Sequence, residues 1–321
     1  MMTASGSLLR SLIRRPLALD VNDLDLGRRG FAPASPQARP ALDAAVRSFA
    51  TGYNAALAQE PGELAFTRLD PGLRGFAFEG AAMSTALLDL LTGTRGRRLH
   101  ALHNGAGQHY PHLIHVGVGW AYARMRLRPW TGIRSGHRLL RWLAWDGWGF
   151  HQAFFRPAHV FSGRVERAAR GPVLPIRDQG VGRALWFYAG AEPDRIAGTI
   201  AGFPPNRRAD LWAGIGLAAG YTGAQSADIL ERLLKTSTDY HEHLAQGSAF
   251  AAKAHHLSGG VTPQVAAAVR ALTGAEPETA AGWTDEALHA VPDGHVTLHD
   301  YEGWRARIRH AWTLHTGGVT R

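Results

Sequence analysis

Histidine is dense in one short stretch of this chain. From His100 to Arg124 the sequence reads HALHNGAGQHYPHLIHVGVGWAYAR, and His100, His103, His109, His112 and His115 surround the turn-forming Asn104-Gly105-Ala106-Gly107. Imidazole ligates metals and carries protons near neutral pH. His112 and His115 follow Pro111, a residue suited to the first turn of a helix, so a helix opening there sets both rings on one side. His100 and His103 read as loop residues. Two histidines do not complete a metal site, but further candidates sit in apolar surroundings: Glu79 in FAFEGAAM, Asp146 and His151 in WDGWGFHQAFF, and Asp210 before LWAGIG. Contributed by facing helices, Glu79, His112, His115, His151 and Asp210 would supply the mixed nitrogen and oxygen donors of a non-haem iron or manganese centre. The spacing contains neither Glu-x-x-His nor His-Glu-x-x-His. The competing structural reading pairs the buried acids with arginines and leaves the histidines at helix ends.

The same residues also have a metal-free chemistry. A buried Glu79 holds its proton more tightly than a solvated acid, and a histidine beside it completes an acid–base pair for isomerisation or cyclisation of an apolar substrate. The catalytic candidates on either reading are Glu79, His112, His115 and His151. Trp142, Trp145 and Trp148 line a flat apolar pocket or simply pack helices together. His241, His243, His255 and His256 fall on one predicted helix with polar neighbours and read as a solvated face.

The elements that must position these residues are helical. Residues 1–40 form an irregular arm punctuated by Pro16, Pro33, Pro36 and Pro40. Leu42, Val46, Phe49, Tyr53 and Leu57 predict a helix over 41–59. Further helices are expected over 76–91, 111–126 and 137–155, the last apolar nearly all round and therefore central. A loop-rich insert spans 157–180. Helices follow over 182–189, 193–202 and 207–221, then one long helix over 226–256 opened by a Ser226 N-cap. Shorter ones lie over 263–272, 285–291 and 301–314. Period-two strand patterns are nearly absent, so the class is all-α: a multi-helix bundle of residues 41–321 in a single domain. Gly75 to Ala81 resembles Gly147 to Ala153, and Gly117 to Ala121 resembles Gly214 to Ala218. These matches suggest pseudo-repeated halves over about 75–130 and 147–222, aligning Glu79 with His151. Mid-helix glycines at such positions let another backbone or a ligand approach closely.

Composition sets limits. With 321 residues the chain can bury a sizeable core, and 45% hydrophobic with 19% charged residues is a globular balance. No cysteine is present, which excludes disulfides, thiolate metal sites and cysteine nucleophiles. The net charge of +9 comes almost wholly from arginine, Lys235 and Lys253 being the only lysines. The arginines cluster only briefly, at Arg14-Arg15, Arg95 to Arg98 and Arg305 to Arg309, which argues against nucleic acid and for acidic or carboxylate partners. No signal peptide, bilayer-spanning run, phosphate loop, Rossmann fingerprint or nucleophile elbow is recognisable. A cytoplasmic location is expected.

The stretches RGFAFEGAAMSTALLDLLTG, HLIHVGVGWAYAR, WLAWDGWGFHQAFF, GVGRALWFYAGAEPDRIAGTIAGFPPNRRADLWAGIGLAAGYTG and LAQGSAFAAKAH occur in this order. In content and order, over about residues 65–255, the chain resembles the UnbL-type enediyne biosynthesis proteins, an uncharacterised family common in actinobacteria. The resemblance implies a genetic setting beside an iterative enediyne polyketide synthase, a thioesterase, a UnbV-type protein and a membrane UnbU-type protein. It carries no catalytic residues with it. The implied function is an enzyme of polyketide natural-product (antibiotic) biosynthesis acting on a conjugated polyene, by oxidation or dehydrogenation toward the alkyne-bearing core. The alternatives are a metal-free cyclase or isomerase, and a polyene carrier working with the UnbV-type and UnbU-type partners, held near the membrane by the latter.

Overall fold

Leu42, Ala45, Phe49, Tyr53 and Ala56 recur at three- and four-residue spacing, and all five are buried along one side of helix α1 (Arg39–Ala58). The same pattern builds the rest of the chain. The computed structural model describes residues 15–130, 137–162, 170–223 and 226–319; residues 1–14 of the expected arm, Gly132, and residues 163–169 of the expected insert lie outside them. After α1 come α2 (Pro71–Thr92), α3 (Arg97–Asn104), α4 (Pro111–Arg124), α5 (Leu143–Phe155), α6 (Leu174–Tyr188) and α7 (Pro193–Ala201). They are followed by α8 (Pro205–Thr222), α9 (Ala227–Thr236), α10 (His241–Ser258), α11 (Pro263–Thr273), α12 (Pro277–Leu288) and α13 (Leu298–Val319). The protein is all-α, with no strand among the described residues. No helix among them is long and apolar enough to cross a membrane.

Glycine sets the arrangement of the long helices. A Cβ at Gly119 of α4 would fall 2.1 Å from the Ala144 carbonyl oxygen of α5, and one at Gly147 of α5 would fall 1.9 Å from that of Val116 of α4. The contact is reciprocal, and it recurs. Gly149 of α5 and Gly180 of α6 meet each other's helices in this way, as do Gly182 and Gly214 of α6 and α8, and Gly216 and Gly247 of α8 and α10. Gly52 of α1 and Gly80 of α2 make the same exchange, and Gly117 presses on the Glu79 carbonyl. Backbones this close exclude any side chain between them, which is why these helices accept a residue that costs each about 1 kcal/mol of intrinsic helicity. Gly80, Gly117, Gly147, Gly180, Gly214 and Gly247 follow one another at intervals of roughly 33 residues. In that register Gly117 and Gly214 correspond, whereas Gly75 does not correspond to Gly147, since its missing Cβ makes room for the Tyr221 hydroxyl. Glu79 therefore corresponds to Asp146 rather than to His151.

With the glycine sides turned to neighbouring helices, another stripe of each helix turns inward. It comprises the residues four and one before, and three and seven after, the register glycine, except on α4, where the last of these is the exposed Arg124. On α6 these are Ile176, Gln179, Arg183 and Phe187, all buried.

Several boundaries differ from expectation for identifiable reasons. Residues 97–104 are helical, not loop, because Asp89 caps them: its carboxylate accepts from the backbone N–H groups of Arg98 at 3.2 Å and Leu99 at 3.0 Å, and Leu99 and Leu102 are buried. His100 and His103 thus lie on a helix. Helix α6 begins at Leu174, inside the expected insert, with Pro175 in its first turn. The single helix expected over 226–256 is two, separated by a 3₁₀ turn at Thr238–Tyr240, although the Ser226 side chain does cap α9 through the Ile229 N–H. The helix expected over 137–155 starts as a 3₁₀ turn at Leu140–Trp142. Residues 15–38 carry two short 3₁₀ turns, Arg15–Leu17 and Val21–Leu24, and Leu24, Leu26 and Phe31 are buried in the common core.

Candidate functional site

The inward stripes bring a string of polar side chains into the apolar centre. Trp120 Nε1 donates to Glu79 Oε1 at 3.0 Å, and Arg183 Nη2 reaches the two Glu79 oxygens at 3.4 and 3.5 Å. Arg183 Nη1 donates to Asp146 Oδ1 at 2.6 Å, and Gln179 Nε2 donates to Asp146 Oδ2 at 2.8 Å. Gln246 Nε2 continues to Gln179 Oε1 at 3.3 Å, and Arg309 Nη1 on α13 closes the string on Gln246 Oε1 at 3.0 Å. Glu79, Asp146, Gln179 and Gln246 each immediately precede a register glycine, which is why they share one level of the interior.

Two carboxylates share one guanidinium here, and the distances divide them unequally. Asp146 takes the short contacts of Arg183 and Gln179, while Glu79 sits at the edge of hydrogen-bonding range. Burial pushes the Glu79 carboxyl well above the usual carboxylate range; the nearby Asp146 charge adds to the shift, while Arg183 and Trp120 oppose it. For Arg183 burial works against the charge, but Asp146 and Glu79 outweigh it and raise its pKa. Glu79 is thus a buried acid, 2% exposed, whose burial favours the protonated form while Arg183 and Trp120 oppose it.

Two cavities open on this string. The first is a space of about 400 Å³, part of it open to solvent; Phe49, Glu79, Trp120, Phe154 and Arg183 are in its wall. The second is a space of about 590 Å³, also partly open to solvent; its wall includes His112, Leu113, Arg183, Tyr221, Phe250 and Trp304. Phe76, Arg183 and Phe187 belong to both walls. Aromatic and aliphatic side chains make up most of both walls.

The five expected metal ligands do not converge. Glu79 is held by Trp120 and Arg183. Asp210 pairs with Arg305 of α13 at 2.8 Å, and Arg305 also pairs with Glu302 at 3.0 Å. His115 Nδ1 donates to the Pro111 carbonyl at 2.7 Å. The His151 ring lies edge-on to Trp120, with centroids 5.8 Å apart. Among the described residues no three His, Asp or Glu side chains are grouped to hold a metal ion. What the structure does is set Glu79 and His151 each against Trp120, and His112 close enough to His115 to act on its charge. The latter pair has further company: the His103 and His137 rings flank His115 at 5.7 and 6.3 Å. Burial is the main cause holding His112 and His115 down at about 3, and neighbouring histidines add to it, so both are neutral at pH 7. His112 Nδ1 is buried without a hydrogen-bond partner.

Reading the sequence missed Arg183, Gln179, Gln246, Trp120 and His137. A polar residue directly before a helical glycine was the available signal for Gln179 and Gln246, and it is visible only once the glycine register is known. The reading of His255 as surface is also corrected. It is buried, stacked on Tyr221 at 4.1 Å between centroids, and its Nε2 donates to the Tyr221 carbonyl at 3.0 Å.

Residues 8–312 match the DUF1702 family, described as a protein of unknown function, and the chain belongs to that family. It matches no curated protein and no solved structure.

Proposed function

From a DUF1702 chain with this interior, we propose an acid–base enzyme that rearranges an extended, conjugated apolar chain of the polyketide type, without a metal. The observation that carries the reading is Glu79: a buried acid with a raised pKa in the wall of an aromatic cavity, beside the Arg183 guanidinium that lines both cavities. A linear polyene is apolar and one carbon chain wide, which suits a space lined by aromatic rings. The resemblance to UnbL-type enediyne proteins supports a polyene as that chain, and UnbV-type and membrane UnbU-type proteins as its neighbours in a pathway. In the step we infer, the Glu79 O–H bond breaks and its proton forms a new C–H bond on the chain. A C–H bond elsewhere on the chain breaks, its electron pair becomes a new double bond, and the proton passes to His112 Nδ1. The exchange is redox-neutral. Conjugation links the two carbons, because Glu79 faces the first cavity and His112 the second. The negative charge left on Glu79 favours protonation of His112, whose pKa is otherwise depressed.

The test is deuterium uptake. A graded series of linear polyene acids and thioesters is incubated with the protein in D₂O and read by mass spectrometry. Wild type is expected to incorporate deuterium into chain carbons, and Glu79→Gln to lose about a hundredfold in rate while binding the chain within about threefold. Binding without incorporation in wild type would replace the enzyme by the carrier; unchanged exchange in Glu79→Gln would remove Glu79.

A further inference from the structure

His151 is left without an explanation by this chemistry. It is 7% exposed, and neither ring nitrogen has a hydrogen-bond partner. A buried imidazole normally satisfies at least one nitrogen, because leaving polar atoms unpaired costs about 1–3 kcal/mol. Its surroundings are unusual in sign. The ring packs on Phe155, with centroids 4.5 Å apart, and the Arg29 guanidinium lies 4.6 Å from the same Phe155 ring and 5.0 Å from that of Phe154. Arg29 is fixed by donating to the carbonyls of Phe154 at 3.0 Å and Asp23 at 3.1 Å, and its Nε is buried and unused. Arg156 is the C-cap residue of α5, one turn beyond His151, and Arg124 ends α4 one turn beyond Trp120. None of these three arginines makes a salt bridge to a carboxylate among the described residues. The Asp23 carboxylate is the acidic group whose charge Arg29 feels, and on the α1 side the buried Tyr53 feels the charge of Arg124. Three guanidinium groups act on a buried imidazole whose nitrogens are unpaired, and of the three only Arg29 has an acid, Asp23, among the charges that act on it.

The place of the cluster matters as much as its charge. His151 touches Trp120, and Arg29 covers Phe154, and both aromatic residues are in the wall of the first cavity. We propose that His151, Arg29, Arg124 and Arg156 bind the anionic head of an extended apolar chain, a carboxylate or a phosphate, whose tail runs into the first cavity toward Glu79. The tail's placement rests on the proposed function; the anion site does not. Burial, helped by Arg124, Arg156 and Arg29, presses the His151 imidazole down to about 3, and a bound anion reverses that balance. The ring then donates from a nitrogen that is now idle.

Two measurements test the site separately from the chemistry. In the first, ¹⁵N-labelled histidine in the full chain is followed by NMR across pH while inorganic phosphate or acetate is added. The His151 pKa is expected to rise with anion concentration, and Arg124→Gln with Arg156→Gln, both at exposed positions, to suppress the rise. An unmoved His151 pKa would overturn the anion site. In the second, parinaric acid, its phosphate analogue and its alcohol, all carrying the same fluorescent tetraene, are titrated into the protein. A charged head is expected to bind about tenfold tighter than the alcohol, with the arginine variants losing that advantage and leaving alcohol binding unchanged. Preference for the acid over the phosphate identifies a free carboxylate, and the reverse a phosphorylated carrier arm. Equal binding of all three would overturn the head-group assignment; if no tetraene binds while the NMR shift persists, the cavity reading fails and the anion site stands.

Discussion

Arg183 is the side chain on which the interior depends most. It compensates Asp146 at 2.6 Å and approaches Glu79 at 3.4 Å, so its loss would strand two buried acids. Arg183→Met is expected to destabilise by about 3–5 kcal/mol in urea unfolding, while Glu79→Gln, a near-isostere of the protonated acid, costs under about 1 kcal/mol. A comparable loss in both would mean that Glu79 is ionised. The pH dependence separates the groups by sign. Glu79, raised in the folded state, contributes stability that is full below the ordinary carboxylate pKa of 4.5 and is lost as pH rises through its folded value. His115 and His151, at about 3, and His255, at about 4, do the opposite. Below their ordinary pKa of 6.5 the unfolded chain takes up protons that the folded chain refuses, so stability falls with pH, by up to ~1.4 kcal/mol per unit for each. Urea midpoints measured from pH 7.5 down to pH 4.5 should decline, and His151→Phe should flatten part of the slope; a flat wild-type profile would contradict the burial of these imidazoles.

For the helices, the decisive comparison is between glycines. Gly119→Ala puts a methyl 2.1 Å from the Ala144 carbonyl and forces α4 from α5, with an expected loss of about 3 kcal/mol or more. Gly198→Ala on α7 meets nothing within 4 Å and should stabilise by about 0.5–1 kcal/mol. Thermal unfolding of the two variants reads both signs, and equal effects would show that the glycines serve no close approach. This is also where the sequence was partly legible. Helix type followed from apolar spacing, and the positions of α1, α2, α4, α8 and α11 came close to their final bounds. The resemblance between Gly117 and Gly214 fell in the true register; that between Gly75 and Gly147 did not. The connections between glycine-bearing helices differ in content, α3 in one place and α7 in another, so no alignment of neighbouring text reveals the period. The buried Glu79 and Asp146 were visible as acids in apolar runs. Arg183 was not, because an arginine in an arginine-rich chain carries no mark of burial.

At the scale of the whole molecule, the N-terminal segment closes the interior. Leu24 is in the wall of the first cavity, and Phe31 packs edge-on against Phe154 and Tyr188 at 5.1 and 5.5 Å. Leu24→Ala is expected to cost about 2–4 kcal/mol and to quicken both entry and escape of a fluorescent tetraene, measured by stopped-flow; unchanged rates would place the entrance elsewhere. The far side is closed by α13, where Trp304 stacks on Phe250 at 4.8 Å and Arg305 holds Asp210.

The reciprocal glycine contacts have a consequence for how such a protein changes over generations. Spacing between neighbouring helices is fixed by main chain against main chain, so the inward residues are not needed to hold the walls apart. Position and lining are therefore independent variables. A descendant can exchange Phe for Leu, or an acid for an amide, along the stripe and acquire a different tenant in an unaltered house.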